Sequence, residues 1–360
     1  MARLHALLVT PLTGSLALFG QASAHGLSLW ARSAASLPAP WTGVELEIRD
    51  SGNDTGAAIR AALQNRPAVL FGPYGSNTML KAARSCERVI WNHGGATSHL
   101  SWPAFPRVIN VLAPASTYFT GVLRAIHAFD ATANTVSLLH STSGFARDVT
   151  AGALATAATL QMKVRTTSFE PTCAADALAA VSDGAILLVA GGFADELTAA
   201  APLLARKWRF AAFVSAGVEE VLAPLGKMRE GLLGPAQWLA GAAPLPEEGP
   251  GARWFTAAYR ASTGTEPSYP AVQAFAAGLL YARCLRDMGN SEDDAQLAAA
   301  RHLTCTTLYG PFRLDPLSGL QTGHQVLTVQ WQQGQRRVVW PPEQAERSLL
   351  PLRTKNNKRL

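Results

Sequence analysis

The stretch Ala68-Val69-Leu70-Phe71, then Gly72-Pro73-Tyr74-Gly75, then Ser76-Asn77-Thr78-Met79-Leu80 decides the fold. Four apolar residues without polar alternation predict a short strand buried on both faces, the pattern of a parallel sheet. The Gly-Pro-Tyr-Gly that follows predicts a tight turn. Ser76 then opens a run predicted helical to about Glu87, and Val89-Ile90-Trp91 reads as the next strand. Strand, turn, helix and strand in this order make one crossover unit of a parallel sheet.

The same unit recurs outward in both directions. Before it, a strand is predicted over Leu4–Thr10, a helix over about Ala17–Ala34, a half-buried strand over Val44–Ile48 and a helix from Thr55. After a break near Val111-Leu112-Ala113-Pro114, strands are predicted at Thr135–Leu139, Lys163–Thr167, Ala185–Ala190, Ala211–Val214 and Leu232–Gln237, with helices between most of them. Two long helices follow, about Ala252–Ser262 and Tyr269–Met288, and then turns joining strands, among them Gln333-Gly334. Two runs of alternation predict an α/β protein of two Rossmann-like lobes, with ligands beyond the carboxyl ends of the strands.

Composition narrows the function. Of 360 residues, 48% are hydrophobic and 16% charged, which excludes disorder as the main state. The net charge of +6 comes from scattered residues, and no nucleic-acid-binding motif accompanies it, so no nucleic-acid partner is expected. The clearest basic cluster, Arg353 to Arg359, reads as a solvated tail over 351–360. Cys86, Cys173, Cys284 and Cys305 form no C-x-x-C pair and the histidines are dispersed, so neither a metal nor another cofactor is expected. Cys284 and Cys305 read either as buried free thiols or, in an oxidising compartment, as a bridge. Nucleophile-elbow, zinc-protease and phosphate-loop motifs are missing, and adjacent carboxylates such as Glu219-Glu220 splay apart, so no enzymatic activity is expected.

Pro11-Leu12-Thr13-Gly14 with Phe19-Gly20-Gln21, Asp50 to Asp54, Gly72 to Asn77, Gly94-Gly95-Ala96-Thr97, Pro316 to Gly319 and Val339 to Pro342 occur in an order that resembles one family. From about Leu7 to Ala345 the chain is similar to type I periplasmic binding proteins, leucine/isoleucine/valine-binding branch. The resemblance implies two interleaved lobes joined by a three-strand hinge, lobe 1 over about 1–112 plus 246–316 and lobe 2 over about 113–245 plus 317–350. It implies a solute-binding protein of a branched-chain amino-acid-type ABC importer, monomeric, with a membrane permease as partner. The ligand would be an amino acid, an amide or an aromatic carboxylate. The alternative is a cytoplasmic sensor of the amide-sensor type. About ten residues precede the Pro11 turn, too few for a secretory leader, so either a leader precedes this numbering and the protein is extracytoplasmic, or the protein stays in the cytoplasm.

The resemblance also implies ligand residues. Ser76 and Asn77, at a helix N-terminus, would receive a carboxylate or amide oxygen, although Ser76 also suits a plain N-cap. Gly95, Ala96 and Thr97 would form the second ligand loop, its glycines letting the backbone approach the ligand, with His93 a secondary candidate. Phe19 and Tyr74 would supply apolar walls, with Trp238 and Tyr269 weaker candidates. From the second lobe come Ser141 and Phe193. Gly217 aligns with the acidic residue that pairs the ammonium in amino-acid-binding members. That departure favours a carboxylate, amide or aromatic acid, because a buried ammonium without a carboxylate is costly.

Overall fold

A computed structural model describes residues 2–352, which divide into two compact units: 2–114 with 238–325, and 115–237 with 326–352. The chain therefore passes between units three times. The basic run Arg353–Arg359 lies outside the described residues. Leu352, expected in the tail, instead donates its N–H to Arg209 O (2.8 Å) and packs on the second unit's core.

The chain opens with β1 (Ala2–Thr10), α1 (Ala17–Leu29), β2 (Trp41–Asp50), α2 (Thr55–Ala62), β3 (Val69–Phe71), α3 (Ser76–Ser85), β4 (Ile90–Asn92) and β5 (Val108–Asn110). The second unit contributes α4 (Thr120–Phe129), β6 (Thr135–Ser141), α5 (Gly144–Thr159), β7 (Lys163–Phe169), α6 (Ala174–Ala177), β8 (Ile186–Ala190), α7 (Phe193–Leu204), β9 (Phe210–Phe213) and β10 (Leu233–Ala236). The first unit resumes with α8 (Ala252–Thr263), α9 (Tyr269–Met288), α10 (Asp293–His302) and the hairpin β11 (Cys305–Thr307) and β12 (Gly310–Phe312). β13 (Leu327–Gln332) and β14 (Gln335–Trp340) close the second unit.

The first sheet runs β2-β1-β3-β4-β5, parallel throughout. Its strands alternate between two buried faces. Leu70 and Ile90 join Ile59, Met79 and Leu100 beneath α2 and α3. On the other face Phe71 meets Trp30 and Tyr281 edge-on (5.8 and 6.1 Å between centroids), Trp91 meets Tyr281 (5.9 Å), and Trp30 meets Tyr281 (6.4 Å). The second sheet runs β14-β13-β10-β9-β8-β6-β7; its parallel part ends at β10, and β13 and β14 add an antiparallel edge. Gln333 and Gly334 at positive φ (56° and 73°) make the two-residue turn between them, the geometry that matches strand twist.

The unit boundaries differ from the expected ones for a local reason. Residues 238–245, expected in lobe 2, enter the first unit through Trp238, whose Nε1–H donates to Leu308 O at 2.9 Å. Residues 317–325 stay there too, because Ser318 O accepts Trp102 N–H (2.7 Å) and Gly319 O accepts the Asn110 amide (3.0 Å). The family-like turns also gain physical reasons. Asp50 accepts from Leu12 N–H (2.9 Å) and the Thr13 hydroxyl (2.6 Å), and these bonds, the hydroxyl's first, hold its carboxyl below the usual range. Asp54 caps α2 through Ala57 N–H at 3.0 Å. Cys284 and Cys305 are buried free thiols, which burial pushes up to about 12 and about 11.

At the far end of the first sheet, Asp293 receives Arg88 Nε–H and Nη2–H (2.8 and 3.0 Å) together with Val89 N–H (2.8 Å). Its carboxylate raises the already high Arg88 pKa further. Asp293→Ala would leave a half-buried guanidinium and a backbone N–H without their acceptor. It is expected to lower stability by about 2–3 kcal/mol, read as a lower urea midpoint at unchanged slope. A midpoint within error of wild type would remove this pair from the stability of the unit.

Candidate functional site

In the first unit the candidate residues gather at the carboxyl end of the parallel sheet. Gly75, the N-cap of α3, stands at φ +99°, a backbone region that a residue with a Cβ rarely enters, and no side chain caps the helix. Ser76 is thus the first helical residue and not the cap that its type suggested. Uncapped N–H groups and the helix dipole at a helix N-terminus favour a carboxylate or carbonyl oxygen there. Ser76 is buried and Asn77 exposed.

The second loop is fastened to the first. Gly75 N–H donates to Gly94 O at 2.9 Å, and a Cβ on Gly94 would stand 2.5 Å from Tyr74 Cα. A Cβ on Gly95 would meet Met79 Cβ at 2.5 Å. These glycines therefore serve loop-to-loop and loop-to-helix packing. Thr97, with Ala96 buried beside it, accepts His99 N–H at 3.3 Å and starts a short helical turn. The organiser of this loop is Asn92, absent from the sequence-based candidates. Its Oδ1 accepts the N–H of Gly95 (2.8 Å) and Gly94 (3.3 Å), while its Nδ2–H donates to Gly95 O and Asn110 Oδ1. An amide closing a strand just before two glycines was the available signal.

The aromatic candidates separate. Phe19 stacks on Tyr74 (centroids 5.1 Å apart, planes 18° apart) and approaches Tyr269 at 6.2 Å. The hydroxyls of Tyr74 and Tyr269 share a short hydrogen bond. Tyr269, a weaker candidate on sequence, thus joins Phe19 and Tyr74 in one cluster. Trp238 is held elsewhere, by Leu308 O and edge-on against Phe255 at 6.3 Å.

In the second unit, Ser141 ends β6 with its hydroxyl 2.8 Å from that of Ser143, which caps α5. Phe193 is the first residue of α7. Gly217 ends a short turn, Val214–Gly217, and a Cβ there would lie 1.7 Å from Pro235 O. No side chain of any kind fits at this position. The neighbouring Glu219 is exposed and pairs with Arg336 at 3.1 Å.

Two buried titratable groups flank these loops. His93 is fully buried with neither ring nitrogen hydrogen-bonded, and burial pushes it down to about 4. Glu196, equally buried, is pushed up by burial to about 7. Their linkages to stability oppose each other. Unfolded His93 takes a proton below about 6.5 and the folded residue resists it, so its contribution is lost as pH falls from 6.5 to 4. Glu196 stays protonated longer when folded, so stability is lost as pH rises from 4.5 to 7. Each effect is worth about 3 kcal/mol, and over pH 4.5–6.5 they largely cancel. His93→Leu is expected to become less stable as pH rises through that window, and Glu196→Gln less stable as it falls. Urea titrations at pH 5, 6 and 7 read both slopes; parallel profiles for the two variants would refute the opposition.

The chain's likenesses agree with this architecture. The family model described as periplasmic binding protein matches residues 6–336. Among solved structures, the leucine-binding protein LivK of Thermotoga maritima shares 16% identity over 93% of this chain and 97% of its own, with a TM-score of 0.76. A solute-binding protein of an R. palustris ABC transporter in complex with benzoate shares 14% over 98% of both chains (TM-score 0.74). Another from R. palustris, in complex with 4-hydroxybenzoate, shares 16% over 98% and 97% (TM-score 0.74). No curated protein sequence matches the chain significantly. With the family model matched over most of its length, the chain belongs to the periplasmic binding proteins, and its fold is that of the type I, leucine/isoleucine/valine-binding branch.

Proposed function

We propose that this protein is the extracytoplasmic solute-binding component of a branched-chain amino-acid-type ABC importer, that it closes as a monomer around a small aromatic carboxylate, and that it delivers this ligand to a membrane permease. The observation that carries the ligand class is the pairing of an uncapped helix N-terminus at Ser76 with the Phe19–Tyr74–Tyr269 aromatic cluster. The helix end suits a carboxylate, and the stacked rings suit an aromatic body. Gly217, with no room for an acidic side chain, weighs against an α-amino acid. Solved relatives of the same fold hold benzoate and 4-hydroxybenzoate, which supports the same choice. The family consists of binding proteins, in keeping with a non-catalytic role.

The test is a thermal-shift panel of benzoate, 4-hydroxybenzoate, leucine, acetamide and urea, since a ligand of the native state raises Tm once it exceeds its Kd. Benzoates are expected to give the largest shifts. Ser76→Ala is expected to weaken benzoate binding about tenfold by removing one hydrogen bond to a charged group. A larger shift with leucine would overturn the aromatic assignment, and one with acetamide would move the ligand to the amides.

A further inference from the structure

The chain leaves the first unit after Pro114, re-enters it at Trp238 and leaves it again after Gln325. Close to each of these points, a group of the first unit rests on one short turn, Leu308–Tyr309 between β11 and β12. At the first, Ala113 N–H donates to the Tyr309 hydroxyl, which also accepts the Gln273 amide of α9 at 2.9 Å. At the second, Trp238 Nε1–H donates to Leu308 O at 2.9 Å. At the third, the His324 ring stacks on the Tyr309 ring, with centroids 4.0 Å and planes 11° apart. The same ring fills the space beside Gly310, where a Cβ would stand 2.5 Å from His324 Nδ1. Gln321 adds a second tie. Its Nε2–H groups reach Val111 O and Pro311 O, each at 3.3 Å, while its Oε1 accepts Gly323 N–H at 2.7 Å. Tyr309 and Gln321 are both buried, so these hydrogen bonds form in a low dielectric that strengthens them.

We propose that the Leu308–Tyr309 turn is the common anchor for the first-unit ends of all three connections, and that Tyr309 is a positioning residue that sets ligand affinity through them. Its hydroxyl and one ring face are already engaged by Gln273, Ala113 and His324, which suits an indirect role. Hinges are a few residues that absorb a change of backbone angle, and residues held at an anchor are withdrawn from that motion. Bending is then left to the residues beyond each anchored point. A ligand that binds an already ordered protein has less conformational freedom to remove. Loosening the anchor gives the unliganded protein freedom that closure must take away, and affinity falls. This last step rests on the solute-binding reading above; the anchoring does not.

Backbone hydrogen exchange on the full-length, unliganded protein tests the anchor, with Tyr309→Ala and Tyr309→Phe beside wild type. In Tyr309→Ala, peptides covering 111–114, 238–242 and 321–325 are expected to lose protection together, about tenfold or more, while those covering β1 and β3 do not change. Tyr309→Phe keeps the stacking ring and loses the hydroxyl. It is expected to loosen 111–114 about fivefold and to leave 321–325 as in wild type. Loss confined to 305–312, or spread evenly over the first unit, would overturn the anchor. Should Tyr309→Ala fail to fold, Tyr309→Phe decides, and unchanged protection at 111–114 overturns the proposal. Calorimetric titration with benzoate reads the consequence. Tyr309→Ala is expected to bind about fivefold more weakly, whereas Asp293→Ala, destabilised at the far end of the sheet, keeps the wild-type Kd. Loosened segments with unaltered affinity would overturn the positioning role. A wild type that does not bind benzoate sinks the ligand assignment instead, and the exchange pattern still decides the anchor.

Discussion

Gly26→Ala is expected to destabilise the first unit by about 3 kcal/mol, although alanine is the better helix former. Inside α1 the intrinsic preference for alanine over glycine is worth up to about 1 kcal/mol in the stabilising direction. Packing acts against it and is larger. An added Cβ would stand 2.0 Å from Ala271 O and 2.8 Å from Ala271 Cα, so the backbones of α1 and α9 touch here. Neither partner retreats easily. α9 is buried along most of its length, and one helical turn beyond Gly26 the ring of Trp30 already fills the space over Gly278, where a Cβ would come within 2.3 Å. Overpacking against backbone sits at or above the top of the usual 1–3 kcal/mol range, because a carbonyl cannot rotate away as a side chain does. Urea denaturation followed by circular dichroism measures the change. Gly43→Ala, where nothing lies within 4 Å, serves as the neutral control. A Gly26→Ala protein as stable as wild type would mean that α1 and α9 can part without cost.

Gly217→Asp is expected to cost the second unit about 4 kcal/mol and to confer no affinity for leucine. By alignment it restores the acid that pairs an ammonium in amino-acid-binding relatives, so a purely sequence-based design would choose it. The tertiary structure forbids it. The new Cβ would lie 1.7 Å from Pro235 O and 2.5 Å from its carbonyl carbon, and the reciprocal position, Gly234 in β10, would press its own Cβ to 2.4 Å from Gly217 N. Turn and strand meet backbone to backbone, held further by Trp331 Nε1–H on Ala216 O (2.8 Å) and Arg336 on Gly217 O (2.6 Å). Separating them to admit a carboxylate would also break these bonds, which places the loss in the tail of single-mutant effects. Calorimetry with a leucine titration checks both halves. A folded Gly217→Asp protein that binds leucine would show that the turn can move and that the site is one substitution from an amino-acid binder.

Much of the fold was legible because apolar runs and breakers are local signals. Val69–Phe71 is a continuous apolar strand stopped by Gly-Pro, and the helix over Tyr269–Met288 has the bounds expected of it. Elements that failed to show were short or carried weak local signals. β5 is three residues long and follows closely on Pro106, and α10 opens on two aspartates and buries little beyond Gln296 and Ala300. Within the site, the residue types at Phe19, Tyr74 and Ser76 were readable, whereas the association of Tyr269 with them, about 195 positions away from Tyr74, was not.

The sequence by itself determined the α/β class, the two runs of strand and helix and the family. All of these follow from periodicity, turn chemistry and motif order, which act between residues near in sequence. Only the tertiary structure decided that Gly94 and Gly217 are glycines because another backbone occupies the space of their Cβ. The same holds for Asn92 shaping the second loop and for Glu196, whose carboxylate accepts the N–H of Gly191 and of Ser215 in two different turns. Those roles depend on distances between segments far apart in the chain, and a residue's type and its neighbours in sequence carry no record of such distances.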